Sequence, residues 1–499
     1  MSEKEKNNFL PRPPIVVVLG HVDHGKTTLL DYIRKTKIAE KESGGITQSI
    51  GAYEVEVNNK KITFIDTPGH EAFTSLRSRG AKTADLAILV VAADEGIKPQ
   101  TLESVQIISE AQVPYIVALT KIDKPEANPE KVKRELVAKG IYLEKWGGDI
   151  PWVEVSSKTG QGIDELLEMI ILMGEMIGLK GDKNLPASGF VLESYLDSKR
   201  GPTAVLIITN GTLRQKDLIM AGNVYGKVKI LENFLGQSLK EATFSSPVKI
   251  IGFEDIPEVG SEFFAAKNQE ELEQIKMLVK TEKGKNISTL KIIGDPNSQI
   301  QIPLIIKADS QGSYEALEFL IDKLGKNQQW CFNLIYSGIG DITEGDLKIA
   351  NPLGTLVIGF RVKKRPETIT LIKNNPSLVI IEEDIVYNIE QKIKEIAEKK
   401  FIEKPEEQII GQLEVLSVFN PSKGYQVIGG KVLEGEILLK SRFHLIRNEE
   451  IIGEGKVVNL QQNKMDVKTV KVNQECGLMV ECSKEIKVGD KLEFFQKIS

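Results

Sequence analysis

Cysteine is nearly absent. Cys331, Cys476 and Cys482 are the only three in 499 residues, too few for a disulfide framework, and no histidine lies near them at zinc-ligand spacing. A reducing compartment follows as the simplest setting. Histidine is almost as scarce, with four residues. No apolar run approaches the ~18 residues needed to cross a bilayer, so no membrane partner is expected. The opening stretch MSEKEKNNFLPRPP has neither the apolar core of a signal peptide nor the Arg-rich pattern of a transit peptide. A cytoplasmic location is expected, and a monomer in solution. Strong net charge is also missing. The balance is −5, which excludes a general basic coat and confines any RNA partner to particular surfaces.

What is present is ordinary for a globular chain: 41% hydrophobic and 27% charged residues. At ~100–200 residues per domain the length implies three or four domains. The pattern divides the chain into a disordered leader over 1–12, an α/β domain over 13–182, a β-barrel over 183–268 and a connector over 269–299. An α/β domain ending in a long charged helix over 300–404 and a second β-barrel over 405–499 complete it. In the first domain, strands are expected near Ala52–Val57, Lys61–Ile65, Asp85–Ala92, Pro114–Thr120 and Pro151–Ser156. Helices are expected near Pro99–Ala111, Pro129–Lys139 and Gly162–Ile177.

The stretch on which the rest depends is Ile15 to Thr28. Ile15-Val16-Val17-Val18-Leu19 reads as a strand buried on both faces. Gly20-His21-Val22-Asp23-His24-Gly25-Lys26-Thr27 follows and fits G-x-x-x-x-G-K-[ST], before a helical segment containing Thr28, Leu29 and Leu30. This is a phosphate-binding loop: glycines let N–H groups turn inward, and the helix adds its positive end. Lys26 is placed to reach the β- and γ-phosphates, and the Thr27 hydroxyl to hold Mg²⁺.

Later signals choose guanine over adenine. Asp66-Thr67-Pro68-Gly69-His70 ends an apolar strand, where the Asp66 carboxylate can hold a Mg²⁺ water and the Gly69 N–H can meet a γ-phosphate. Thr120-Lys121-Ile122-Asp123 ends another. A carboxylate at Asp123 can accept from guanine N1–H and N2–H₂ together, a donor pair adenine lacks, while the Lys121 stem lies on the ring. Ser156-Ser157-Lys158 ends the next strand, where a backbone N–H can reach guanine O6. Gly44-Gly45-Ile46-Thr47 supplies a hydroxyl, Thr47, that can close over Mg²⁺. All stand in order at strand carboxyl ends, where open α/β sheets bind ligands. The reading is a GTPase using GTP/GDP and Mg²⁺. An ATP-dependent kinase is disfavoured by Lys121 and Asp123.

Two β stretches look like copies of one barrel. Asn210-Gly211-Thr212-Leu213 parallels Gly429-Gly430-Lys431-Val432, and Pro257-Glu258-Val259-Gly260 parallels Ile486-Lys487-Val488-Gly489.

The GHVDHGKT and DTPGH motifs resemble those of the translational GTPases. Within that family, Leu192–Ala204, Ile305–Leu317, Ser337–Asp346 and Glu475-Cys476-Gly477 resemble the bacterial translation initiation factors two, in order across residues 14–499. The resemblance implies that His70 positions the attacking water, with Val22 and Ile46 as an apolar gate around it; His21 and His24 read as loop packing. It implies partners: formylmethionyl initiator tRNA, held by Lys464, Glu475, Cys476 and Gly477 of the last barrel, and both ribosomal subunits with their RNA. Three departures stand out. Thr120 replaces an asparagine that braces the guanine loop, Ser157 replaces an alanine, and Gln461-Gln462-Asn463 replaces a basic–aromatic run, leaving Lys464 as its one charge. The alternatives are a GTP-switched ribosome factor without tRNA recognition, and another tRNA-delivering translational GTPase, which would lack the segment Lys307–Leu317.

Overall fold

In the computed structural model, the described residues are 9–35, 47, 48, 50–278, 291–294, 301–328, 330–350, 355–373, 378–401, 407–422, 425–447, 450–463, 465–482 and 484–497. Gly44, Gly45, Ile46 and Lys464 lie outside them, as do residues 1–8 of the expected leader. The chain divides into two compact units, Met1–Glu395 and Ile396–Ser499. Among the described residues no helix is long and apolar enough to cross a membrane.

The first unit begins with an α/β layer. Its elements are β1 (Ile15–Gly20), α1 (Lys26–Arg34), β2 (Gly51–Val57), β3 (Lys60–Asp66), α2 (Thr74–Thr83), β4 (Leu86–Ala92), α3 (Pro99–Ala111), β5 (Tyr115–Thr120), α4 (Pro129–Ala138), β6 (Trp152–Glu154) and α5 (Ile163–Ile177). The sheet order is β2-β3-β1-β4-β5-β6, parallel except for the β2–β3 hairpin. Asn58 and Asn59 make that hairpin's turn with φ 49 and 59, as a tight hairpin requires. Period-two alternation sends Val16 and Val18 to the face covered by α1 and α5, and Ile15, Val17 and Leu19 to the face covered by α3 and α4. The parallel strands place their carboxyl ends on one edge, and with them the motifs that follow β1, β3, β5 and β6.

Residues 10–12, placed in the expected leader, are tied to the rest of the chain. Leu10 pairs with Gly181, and the Arg12 guanidinium donates to both Asp85 carboxylate oxygens, at 2.6 and 2.5 Å.

A closed six-stranded barrel follows, with strands in the cyclic order Ser188–Asp197, Gly201–Asn210, Pro247–Phe253, Val224–Asn233, Leu218–Ala221, Glu262–Ala266. The next domain is a five-stranded sheet ordered Lys291–Gly294, Cys331–Ile339, Gln301–Ala308, Leu356–Phe360, Val379–Glu383. Its first strand is antiparallel and falls inside the stretch expected to be connector; residues 301–383 contribute the parallel strands. The turn Asp309–Ser313 is a helix cap: the Ser313 N–H donates to Ser310 Oγ at 3.3 Å. The helix Gln311–Gln328 begins there, and the helix Val386–Phe401 ends the domain.

Glu193 of the barrel is buried against that cap. A Cβ on Gly312 would lie 3.3 Å from Glu193 Oε1, and Tyr195 bridges to Ser310. Burial pushes the Glu193 carboxyl up from 4.5 to about 7, with Asp309 adding to the rise and the Ser310 and Arg361 groups opposing it. The native state therefore holds this proton to higher pH than the unfolded chain, so stability falls as pH rises from 4.5 to about 7. Glu193→Gln is expected to remove that slope and, above pH 7, to raise stability by an amount on the order of a few kcal/mol, read as a higher melting temperature. Melting curves between pH 5 and pH 8, run on both proteins, check this.

The second unit is also a barrel. Glu407–Ser422 pairs with both Tyr425–Leu438 and Lys491–Lys497, which closes the ring through Arg442–Arg447, Glu450–Gln462 and Glu475–Cys482. Matching strands occupy matching places in the two barrels, so the repeat is real in topology. Its register differs from the sequence reading in one half. Gly211 and Gly435 share the left-handed conformation (φ 80 and 66), as do Lys216 and Lys440 (φ 75 and 71). The counterpart of Gly211 is therefore Gly435, not Gly430. Gly260 and Gly489 correspond as expected, with φ 85 and 92.

Candidate active site

Two glycines fix the phosphate loop. Gly20 ends β1 at φ +147, and a Cβ there would lie 2.4 Å from the Val90 carbonyl oxygen. Glycine alone lets the chain leave the sheet this close to β4. Gly69 of the DTPGH segment is packed as tightly: its Cβ would lie 2.5 Å from Lys26 Nζ and 2.9 Å from Val22 N. Gly25, at φ 87, caps α1, whose positive end faces the loop. Lys26 opens that helix and is buried. Its ammonium donates to the carbonyls of Gly20 and His21 at 3.0 and 2.6 Å. An ammonium has three donors, so one remains for a phosphate oxygen. Burial pulls Lys26 down to about 8, with Asp66 opposing.

The Thr27 and Thr47 hydroxyls lie 2.7 Å apart, and Asp66 is buried at the end of β3. Two hydroxyls and a carboxylate are a hard oxygen set, which suits Mg²⁺ rather than a soft metal.

At the base end, Thr120 Oγ1 donates to the His24 carbonyl at 2.6 Å. The hydroxyl thus ties β5 to the phosphate loop. Thr120→Val, which keeps the shape and removes the donor, should cost about 1–3 kcal/mol of stability, because the His24 carbonyl is left buried without this partner. GTP affinity should fall with it. Thermal melts and nucleotide titration of the variant test both. Asp123 Oδ1 accepts from Ser156 Oγ at 2.6 Å, and that bond holds its carboxyl below the usual range. Ser156 Oγ in turn accepts from the Lys158 and Thr159 N–H groups at 3.3 and 3.2 Å. Ser156 therefore positions the loop through its side chain. The Lys121 ammonium lies 3.1 Å from Glu95 Oε1.

One cavity of ≈ 320 Å³ gathers these groups: Val22, Asp23, Gly25, Lys26, Thr27, Thr28, Thr47, Gly69, His70, Thr120, Lys121, Asp123, Ser157 and Lys158 line it. Gly20, His21, His24, Asp66 and Ser156 stand behind the lining. His24 is fully buried and edge-on to His21, with ring centroids 4.8 Å apart; burial first, and His21 second, push it down to about 4. It is uncharged loop packing.

His70 caps the short 3₁₀ turn Glu71–Phe73. Its Nδ1 accepts from the Ala72 N–H at 2.9 Å, which puts the neutral ring's proton on Nε2. Burial lowers its pKa. The fully buried Arg77 guanidinium donates to the carbonyls of Pro68 and His70 at 3.0 and 2.5 Å and pairs with Glu103 at 2.6 Å.

Sequence reasoning missed four neighbours. Lys124 lines the cavity and pairs with Asp94 at 2.6 Å; its place just after Asp123 was the available signal. Gln100 Oε1 accepts from the Val22 N–H at 3.1 Å. Gln48 donates to the Asp384 carbonyl at 2.8 Å and accepts from the Val386 N–H at 3.3 Å. Tyr387 lies against the His70 ring, centroids 4.2 Å apart. The last two contacts join residues more than 300 positions apart in sequence, and no local pattern announces them.

In the second unit, Gln461 pairs with Gly477 across neighbouring strands, so two of the segments singled out for tRNA are adjacent. Gln461 and Asn459 both donate to Asp466 Oδ1, at 2.7 and 3.1 Å. Strand alternation points Glu475 outward and Cys476 inward. The Cys476 thiol sits in the barrel core and is pushed up to about 11 by burial. Its side chain is thus a core residue rather than a surface contact.

Comparison with known proteins follows the same division. Residues 12–175 match the family described as the elongation factor Tu GTP binding domain, 186–266 elongation factor G domain 2, and 265–394 translation-initiation factor 2. The chain is 43% identical over 504 residues to translation initiation factor IF-2 of Thermotoga sp. (strain RQ2), covering 99% of this chain and 73% of that one. It is 43% identical over 505 residues to the Fusobacterium nucleatum factor of the same name, covering 99% and 68%. With the Aquifex aeolicus factor of that name the identity is 42% over 495 residues, covering 97% and 61%. The chain belongs to the translation initiation factor IF-2 family, and is a GTP-dependent translation initiation factor built on a translational GTPase domain.

Proposed function

We propose that the cavity binds GTP and hydrolyses it to GDP and phosphate, with Lys26 and loop amides on the phosphates, Lys121 and Asp123 on guanine, and His70 on the attacking water. The convergence of Lys26, Thr27, Thr47, Gly69 and His70 with Thr120, Lys121, Asp123, Ser157 and Lys158 on one cavity carries this reading. Thr27 and Thr47 would hold Mg²⁺, with Asp66 acting through water; the ion supplies positive charge against the phosphate oxygens. A neutral imidazole has one acceptor nitrogen, and at His70 the Ala72 N–H occupies it. His70 therefore orients the water and presents its Nε2–H to developing charge, rather than removing the water's proton.

The second part of the proposal is that the carboxyl-terminal barrel holds formylmethionyl initiator tRNA. The factor places it on the small ribosomal subunit, favours joining of the large one, and hydrolyses GTP on the ribosome, acting as a cytoplasmic monomer. The resemblance of Glu475-Cys476-Gly477 and the names of the relatives support this. Binding of the full chain to initiator tRNA carrying formylated or unformylated methionine, at one stated salt concentration, tests it. Preference for the formylated form is expected. Absence of binding at low salt would leave a GTP-switched ribosome factor, the reading favoured by the acidic Asp466 beside Gln461. Hydrolysis with and without ribosomal subunits tests the ribosome's role.

A further inference from the structure

We propose that Tyr387 is a positioning residue for His70, held in place by Gln48, so that the helix Val386–Phe401 completes the hydrolytic centre from outside the GTPase domain. This rests on the reading of His70 as the group that orients water.

His70 borders the cavity yet is only 6% exposed. Three groups restrain its ring. The Ala72 N–H binds Nδ1. Phe73 stands edge-on with centroids 6.1 Å apart. Tyr387 stands edge-on at 4.2 Å, with the planes at 72°. The first two belong to the same short segment as His70 and move with it. Among the described residues, Tyr387 is the ring contact that reaches His70 from another domain. With Nδ1 engaged, the one polar atom left to act is Nε2–H, and ring tilt decides where it points. Tyr387 therefore does what an outer-shell partner does for an active histidine: it selects the orientation.

Tyr387 is itself placed by a clasp. Gln48 donates to the Asp384 carbonyl and accepts from the Val386 N–H, which straddles the first turn of the helix. Gln48 follows Thr47, whose hydroxyl meets Thr27. One short stretch thus joins the proposed metal ligand to the proposed water-orienting residue through Tyr387. Tyr387 is 46% exposed, more than a residue serving only as core would be.

The test is steady-state GTP hydrolysis by the full chain with ribosomal subunits present, measured against GTP concentration and pH. Tyr387→Ala is expected to lower kcat by roughly 10–10²-fold with KM for GTP unchanged. It should also move the acid limb of the kcat profile to higher pH, because His70 loses cover that holds its pKa down. The charged neighbours Glu71, Arg77, Lys323 and Glu390 remain in the variant and cannot account for that move. Tyr387→Phe should restore the rate and the limb, since the ring and not the hydroxyl acts. Gln48→Ala should lower the rate in the same direction, because Tyr387 is then present but no longer held against His70, and serves if Tyr387→Ala does not fold. Wild-type kcat and acid limb in Tyr387→Ala would overturn the proposal, as would equal loss in Tyr387→Phe. His70→Ala separates the two levels: unchanged hydrolysis there removes the reading of His70 itself, whereas loss there beside a normal Tyr387→Ala removes only the role of Tyr387.

Discussion

His70→Ala is expected to slow GTP hydrolysis on the order of 10²–10³-fold and to leave GTP and GDP affinity unchanged. The side chain borders the cavity beside Lys26 and Gly69, but the ammonium and backbone groups, not the imidazole, are placed for the phosphates. Its loss should therefore fall on kcat and spare binding, the pattern of an interaction made mainly in the transition state. The 3₁₀ turn loses its cap at Nδ1, which should cost about 1 kcal/mol, too little to unfold the domain. Hydrolysis with and without ribosomal subunits, alongside nucleotide titration, measures both quantities. Full activity in the variant would remove His70 from the mechanism. Lost nucleotide binding would mean its role is structural.

Asp123→Asn should exchange the base specificity. Asp123 accepts through both carboxylate oxygens in the proposed complex, and hydrogen bonds to a charged group contribute roughly 1.5–3 kcal/mol each. The introduced amide keeps one acceptor for N1–H and turns the other position into a donor, which faces the guanine amino group unfavourably. Xanthine carries a carbonyl there instead. GTP affinity is expected to fall on the order of 10²–10⁴-fold while affinity for xanthosine triphosphate rises. Ser156 Oγ can still donate to the amide oxygen, so the loop holding position 123 should persist. Competition between the two nucleotides for the variant decides the matter. Unchanged GTP binding would refute the assignment.

Most of the first domain is legible in sequence because its signals are local. β1 shows five apolar residues in a row, and α3 runs over the expected Pro99–Ala111, with Pro99 at its first position. α2, Thr74–Thr83, has charged residues on a short helix and buries Arg77, so its inward face looks polar in sequence. The strand Lys291–Gly294 is a short edge strand whose existence depends on pairing with Cys331–Leu334. The barrel repeat was visible through its glycines, yet Gly429, Gly430 and Gly435 lie close together in sequence, and only backbone conformation separates the left-handed one. Among the site residues, the motif members could be read because each motif fixes its own spacing. Gln48 and Tyr387 could not, because their significance lies in each other's neighbourhood, which the fold alone creates.

The Gln48 clasp also carries an obligation that runs backwards. If closing Thr47 over a bound nucleotide steadies the hydrogen bonds to Asp384 and Val386, then steadying those hydrogen bonds must tighten the nucleotide by the same factor, since free energies around a closed cycle sum to zero. Whatever grips the helix Val386–Phe401 becomes an effector of the cavity, however far along the helix it binds, to the extent that it distinguishes clasped from unclasped forms. A partner that prefers the clasped form would slow GTP release; one that pries the first turn away would hasten it. Under that coupling, nucleotide affinity is not a property of the GTPase domain alone.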